Sequence, residues 1–312
     1  MRYLLTIFFV FNISAIHAQL DTAFYLAPIP EWSNQTQEIE ISTPFPNAIV
    51  TVFNSDSSYY NQVALSQGVP NTIYLNTTAQ GLQSTYGAIS TQLGNQVLDR
   101  AALFVRSDRD IVLTQRVTQQ YNQDLLSAKG TRALGKLFLA GNQTKIVNAP
   151  PAGEAALGFI SFVAIENNTS VSVNLPPGIT DKNGDNIISC VLNKWQSYTV
   201  TLDEDEQFAG ASIISSKPIS VTTGANHVKQ NAGGPEQDGG MDQLVPQDLV
   251  GNEYVIARGL APASLDYLVI IPTDDNTNIS ANGSLVANKN KSEVFEYTLA
   301  GGPGSVGQIT EI

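Results

Sequence analysis

Apolar and polar residues alternate at period two along most of this chain. Glu38-Ile39-Glu40-Ile41, Ile49-Val50-Thr51-Val52, Thr169-Ser170-Val171-Ser172-Val173 and Tyr198-Thr199-Val200-Thr201-Leu202 each show it, and each predicts a half-buried strand. Clusters of Gly, Pro and Asn punctuate the strands at short intervals, as turns between them require. Only Gln83 to Gln115 is long enough for a helix, and its second half reads as a strand; Leu125 to Leu134 predicts a helical turn at most. The expected fold is all-β, built of tandem β-sandwich-like units of about 100 residues, with a β-propeller as the alternative.

One string recurs. Ser107-Asp108-Arg109-Asp110-Ile111-Val112-Leu113, with Ala133-Leu134-Gly135 after it, returns as Ser215-Ser216-Lys217-Pro218-Ile219-Ser220-Val221, with Leu249-Val250-Gly251 after it. The offset is 108 residues from Ser107 to Ser215 and 116 from Gly135 to Gly251. A Gly-rich insertion around Asn231 to Gly240 accounts for the difference. Such a period is too long for a solenoid unit and suits a module with its own core. Pro218 has no N–H and a fixed φ, so it belongs at a strand start or a bulge. Gly251 is expected to allow a tight approach into the following strand.

The order of parts predicts a signal segment at 1–18, a first β unit at 19–147, a second at 148–260 and a third, truncated, at 261–312. Each unit opens on an alternating strand and closes on the strand after Gly135 or Gly251. Val50, Val171 and Ile279 are expected at equivalent inward positions, as are Leu75, Leu202 and Leu299. Asn148-Ala149-Pro150-Pro151 and Ala261-Pro262 read as junctions, since consecutive prolines cannot join a ladder. A third Ser-x-x-Pro-Ile string is not reached, so the chain is expected to be part of a longer polypeptide.

Charged residues are scarce, at 14%, and apolar residues reach 42%, which excludes ordinary disorder. Net charge is −12. Such a surface repels phosphate backbones, so nucleic acid is excluded as a partner. Arg2, the apolar run Leu4 to Val10 and Ile16-His17-Ala18 predict a cleaved secretory signal, with cleavage before Gln19. No later run is apolar for long enough to span a membrane. Cys190 is the only cysteine, so a secreted chain of this kind relies on its core in place of disulfides. In its apolar setting Cys190 reads as a small core residue.

Enzyme machinery is missing from the sequence. His227 is the single histidine of the mature chain, which rules out a multi-histidine zinc site. No Gly-x-Ser-x-Gly, His-Glu-x-x-His or phosphate-binding Gly-rich motif occurs, so no catalytic residue, metal or cofactor is assigned. Asp203-Glu204-Asp205-Glu206 reads as a solvated turn. Asp181-Lys182-Asn183-Gly184-Asp185-Asn186 resembles the start of a calcium loop, but Leu192 stands where a bidentate Glu belongs, and a β-turn fits better. Asn-x-Ser/Thr sequons at Asn34, Asn76, Asn142, Asn168 and Asn282 matter only in a host that glycosylates.

Gly210-Ala211-Ser212-Ile213-Ile214-Ser215-Ser216-Lys217-Pro218-Ile219-Ser220-Val221, Gly224-Ala225-Asn226-His227, Asp242-Gln243-Leu244-Val245-Pro246 and Leu249-Val250-Gly251-Asn252-Glu253-Tyr254-Val255 together resemble the N-terminal domain of IgGFc-binding proteins. Asp21 to Ala27 is similar to that family's opening segment. The resemblance runs from about Asp21 to the end and is looser in the first unit, where Arg109-Asp110 replaces Lys-Pro. It implies a non-catalytic surface protein of the Bacteroidota-type bacterial branch, because the cysteines that animal members carry after the Pro-Ile motif are absent.

These readings converge on an exported, cell-surface adhesion or recognition module whose partner is an extracellular protein or glycan. The alternative is a secreted carbohydrate-binding or carbohydrate-degrading protein that uses Trp32, Trp195 and tyrosines as stacking platforms. The loop from Asn226 to Gly240 is the candidate ligand site. His227, Gln237 and Asp238 are its polar contributors, because a loop on a rigid β scaffold changes without disturbing the core.

Overall fold

The structure, a computed structural model, describes residues 20–31, 36–54, 60–75, 88–90, 94–99, 101–118, 124–142, 158–202, 207–228, 238–258, 267–299 and 309–312. Among these residues it is built of strands and short 3-10 turns, with no α-helix. The signal segment, Trp32, the Asn148 and Ala261 junctions, the Asp203–Glu206 run and residues 229–237 lie outside them.

The first strand set comprises β1 (Asp21–Leu26), β2 (Ile29–Glu31), β3 (Thr36–Ser42), β4 (Asn47–Asn54), β5 (Tyr60–Ser66), β6 (Asn71–Tyr74), β7 (Ala88–Ser90), β9 (Leu103–Thr118) and β10 (Asp124–Ser127), while β8 (Val97–Leu98), ahead of β9 in the chain, pairs with a strand of the second set. Its spine is β9. The first half of β9 pairs antiparallel with β1 and β4, and its second half with β3 and β10. The order is β5-β4-β9-β3-β6, while β2 and β7 form a separate parallel pair. Sixteen extended residues span about 53 Å, more than one sandwich layer holds. One strand therefore serves both layers and must bend between them.

The second set comprises β11 (Leu134–Leu139), β12 (Gly158–Ala164), β13 (Thr169–Asn174), β14 (Ile187–Leu192), β15 (Ser197–Thr201), β16 (Ser212–Val228) and β17 (Asp238–Gln243). Its order is β14-β13-β16-β12-β15-β8, with β11 and β17 also on the spine β16. The expected partners coincide: Val50 faces Ser107 and Val171 faces Ser215. Leu75 and Leu202 each donate a backbone N–H to the strand beside them, at Gln37 and Gly158. A third group comprises β18 (Val255–Ala257), β19 (Tyr267–Ile270), β20 (Thr277–Ala281), β21 (Ser284–Lys289), β22 (Phe295–Thr298) and β23 (Ile309–Glu311). It pairs β18 with β23, β19 with β22 and β20 with β21. A propeller would need separate four-stranded blades; a spine shared by two layers makes these sets sandwich-like.

The strand after Gly135 differs from expectation. Leu134–Leu139 does not close the first set but lies along β16, with Phe138 fully buried in the second core. The chain thus changes cores at the 3-10 turn Gly130–Ala133, ahead of the proline-rich segment.

The recurring Ser-x-x-x-Ile string is the bend of the spine. Opposite β1, the register jumps from Ala23↔Arg106 to Asp21↔Ile111, so Thr22 alone faces residues 107–110. Opposite β11 it jumps from Leu137↔Ile214 to Gly135↔Ile219, so Lys136 alone faces residues 215–218. Side chains replace the lost ladder bonds. Asp108 Oδ1 accepts the Ile49 N–H at 2.8 Å, and Ser216 Oγ accepts the equivalent Ser170 N–H at 2.9 Å. Ser215 Oγ donates to the Lys217 carbonyl at 2.7 Å. Pro218 sits inside the bulge, where a missing N–H costs no ladder bond. Ile111 and Ile219 then re-enter their cores fully buried.

Two cores follow. Phe24, Ile39, Ile41, Val50, Leu103 and Leu113 lie at the centre of the first, and Phe138, Ile160, Phe162, Val200, Ile213 and Val221 at the centre of the second. Each such buried side chain contributes about 1.5–3 kcal/mol over an exposed one. Between them a smaller cluster joins Ala27, Ala102, Phe104 and Val163 to Tyr25, Phe53 and Trp195.

Candidate functional site

The β16–β17 hairpin carries the candidate loop, and its base is fixed by the junction of the first two sets. Gln243 is fully buried. Its Nε2 donates to the Tyr25 carbonyl at 2.8 Å and to Ser220 Oγ at 2.9 Å, and its Oε1 accepts the Lys129 N–H at 2.6 Å. Ser220 Oγ also donates to the Tyr25 carbonyl, at 2.8 Å. Lys129 Nζ reaches Asp242 and the Gln243 carbonyl. Met241 packs against both the first core and the small group of Ile29, Val117 and Phe159. At Gly224 the backbones meet so closely that a Cβ would stand 2.7 Å from both the Gly240 carbonyl oxygen and the Phe159 ring.

Toward its tip this hairpin departs from its counterpart. In β9–β10 the register is unbroken from Thr114↔Ser127 to Val117↔Asp124. In β16–β17 it shifts between Ala225↔Gly240 and Val228↔Asp238, so Asn226 and His227 face Gly239 alone. Val117 and Ala225 are 108 apart, whereas their partners Asp124 and Gly240 are 116 apart. The whole insertion therefore lies beyond Ala225 and before Gly240. Two residues against one make a β-bulge, a device that re-aims side chains and ends pairing. His227 thus lies at the end of β16 within a bulge, Asp238 opens β17, and Gln237 lies outside the described residues. The backbone brings His227 and Asp238 to the same end of the hairpin.

A second concave feature escaped the reading of the sequence. Ser170, Ser172, Ser189, Val191, Ile214 and Ser216 border an open depression of about 730 Å³ on the outer face of β13, β14 and β16, with Cys190 beneath it. Val191 and Ile214 are 60% and 49% exposed. The available signal was apolar residues at outward positions of alternating strands. Burial pushes the Cys190 thiol up to about 11, which keeps it protonated and chemically quiet.

The other candidates take structural roles. Asp181 Oδ1 accepts the Asn183 and Asp185 N–H groups, both at 2.9 Å, and Asn186 Nδ2 donates to the carbonyls of Pro176 and Ile179. That is a turn closed on itself. Among the described residues no group of three or more His, Cys, Asp or Glu is placed to hold a metal ion, and no helix is long and apolar enough to cross a membrane. Trp195 is not an open stacking platform. It stacks on Tyr25 (ring centroids 5.9 Å apart), lies against Phe104, and has Lys194 Nζ 4.6 Å over its ring.

No curated protein and no solved structure matches this chain. A family model described as IgGFc binding protein matches residues 127–306. That span begins at the end of β10, takes in the whole second strand set with its hairpin, and reaches past β22. More than half of the chain is matched, and it is the half that holds the candidate loop: the protein belongs to the IgGFc binding protein family.

Proposed function

We propose that this chain is a non-catalytic, exported recognition module of tandem sandwich units, with its binding residues at the β16–β17 hairpin tip. Membership of a binding-protein family supports recognition as the activity. The observation that carries the location is the insertion: beyond spines that follow the same pairing, the β16–β17 tip is eight residues longer than that of β9–β10. His227, Gln237 and Asp238 are the polar groups proposed to meet the partner, an extracellular protein. Export and a surface location rest on Arg2, the Leu4–Val10 run and Ile16-His17-Ala18, and the bacterial, Bacteroidota-type assignment on the missing cysteines. No cofactor takes part.

A protein array that includes an immunoglobulin Fc fragment, run beside a glycan array, tests this reading with the purified chain. The expected result is saturable binding to one protein class, with no covalent change in any arrayed molecule. Hydrolysis of arrayed glycans, or binding confined to glycans, would overturn it.

A further inference from the structure

Among the described strands β14 ends the sheet order β14-β13-β16, and its ladder with β13 runs unbroken from Thr169↔Leu192 to Asn174↔Ile187. The Asn186 carbonyl accepts the Leu175 N–H at 3.0 Å. Hydrogen-bonded pairs alternate along such a ladder, so Ile187, Ser189 and Val191 turn their N–H and C=O groups to the outer edge. The side chains of the same three residues are exposed, Ile187 to 61% and Val191 to 60%. Edge strands are ordinarily guarded by charge, proline or a bulge, and Ile187–Leu192 has none of these. Its counterparts differ. β5 sets Gln62, Ala64 and Ser66 at exposed positions; β21 carries Lys289, and its register with β20 shifts between Ile279 and Ser280. β5 also ends its sheet, with two further strand sets after it in the chain, so the sets that follow are not what covers this place.

We infer that β14 joins two copies of this chain, paired antiparallel about a twofold axis at Ser189. Only this register brings all three outward-turned residues into hydrogen-bonded pairs. Ser189 then faces Ser189 of the second copy, and Ile187 faces its Val191 on both sides of the axis. Directly opposite residues lie on the same face of a sheet, so each exposed Ile187 is covered by a Val191. A twofold interface must complement itself, and the charges beside the strand do so. Asp185 falls opposite Asn193 of the second copy, one residue from its Lys194, and both charged residues are exposed. Two chains of net charge −12 repel each other, and the pairing strand is a stretch that adds no charge to that repulsion.

Sedimentation velocity of the full chain from about 1 to 100 μM, with backbone hydrogen exchange at the two extremes, is the test. The expected result is a reversible monomer–dimer equilibrium. Exchange at Ile187, Ser189 and Val191 should slow by about tenfold or more as the dimer fills. Val191→Lys, at an exposed position, should weaken the dimer by about tenfold or more. Ile214→Lys, on the same face but two strands in from the edge, should leave it unchanged. A chain still monomeric at the highest concentration, a dimer indifferent to Val191→Lys, or equal weakening by both substitutions would each overturn the inference.

Discussion

Gly130 and Gly135 hold matching places on either side of one contact. In the first set a Cβ on Gly130, whose φ is +60, would run into the Asp21 side chain; in the second, a Cβ on Gly135 would run into Pro246. Gly130 and Pro246 share the 116-residue offset, and Asp21 and Gly135 stand at the same place along their spines, opposite Ile111 and Ile219. In each set one partner is reduced to glycine so that the other fits. Gly135→Ala should destabilise by about 1–3 kcal/mol through overpacking, and Gly251→Ala should stay within about 0.5 kcal/mol. A Cβ on Gly251 would meet nothing closer than 3.7 Å, so the tight approach read into it from sequence is not there. Urea unfolding of the two variants separates these outcomes. Cys190 supplies a pH test. Its folded thiol, pushed up to about 11 by burial, lies above its ordinary value of 9.0. Its contribution to stability is therefore full below about pH 9 and is lost as pH rises through 11. Tyr198, raised to about 12 by burial and then by Cys190, Asp181 and Asp185, acts in the same direction. The Cys190→Ala variant should lose stability less steeply between those two values, and an equal slope would contradict the assignment.

Among the elements, the loops preceding β13 and β20 match atom for atom. Asn168 and Asn276 adopt φ of +54 and +56. Thr169 and Thr277 donate to the carbonyls of Glu166 and Asp274 at 2.8 and 2.7 Å. The N–H groups of Lys194 and Lys291 reach Asn167 and Asp275 at 3.0 and 3.1 Å. This likeness was legible from the Asn-Thr strings, as were the alternating strands and the position of Pro218, because each is a local preference of the chain. Partner choice was not legible. Nothing in Leu134–Leu139 says which spine it joins, and nothing in Asp242-Gln243 says which of the two turns inward. The sequence presents a polar pair, and the fold uses the glutamine as an internal strut. Gln243→Leu should cost about 1–3 kcal/mol by stranding the Lys129 N–H and leaving the Tyr25 carbonyl with Ser220 Oγ as its donor. An unchanged urea midpoint would show that water replaces the side chain.

For the whole molecule, the same loop joins each set to the one before. Trp195, at φ +77 between β14 and β15, rests on Phe104 beside Ala102. Ser292, at φ +66 between β21 and β22, lays its carbonyl on Gly210, which is offset from Ala102 by the spine's 108 residues. The large aromatic thereby became a joint and was lost as a binding platform, which composition alone could not reveal. Joints of this kind pack next to the hairpin base, and the proposed recognition lies at the tip beyond it. The most direct test replaces residues 229–237 with a short Gly-Ser linker and measures both melting temperature and affinity for the protein selected from the array. A melting temperature within about 2 °C of the parent, together with a loss of affinity of tenfold or more, about 1.4 kcal/mol, is the predicted result. Unchanged affinity in an equally stable variant would contradict it.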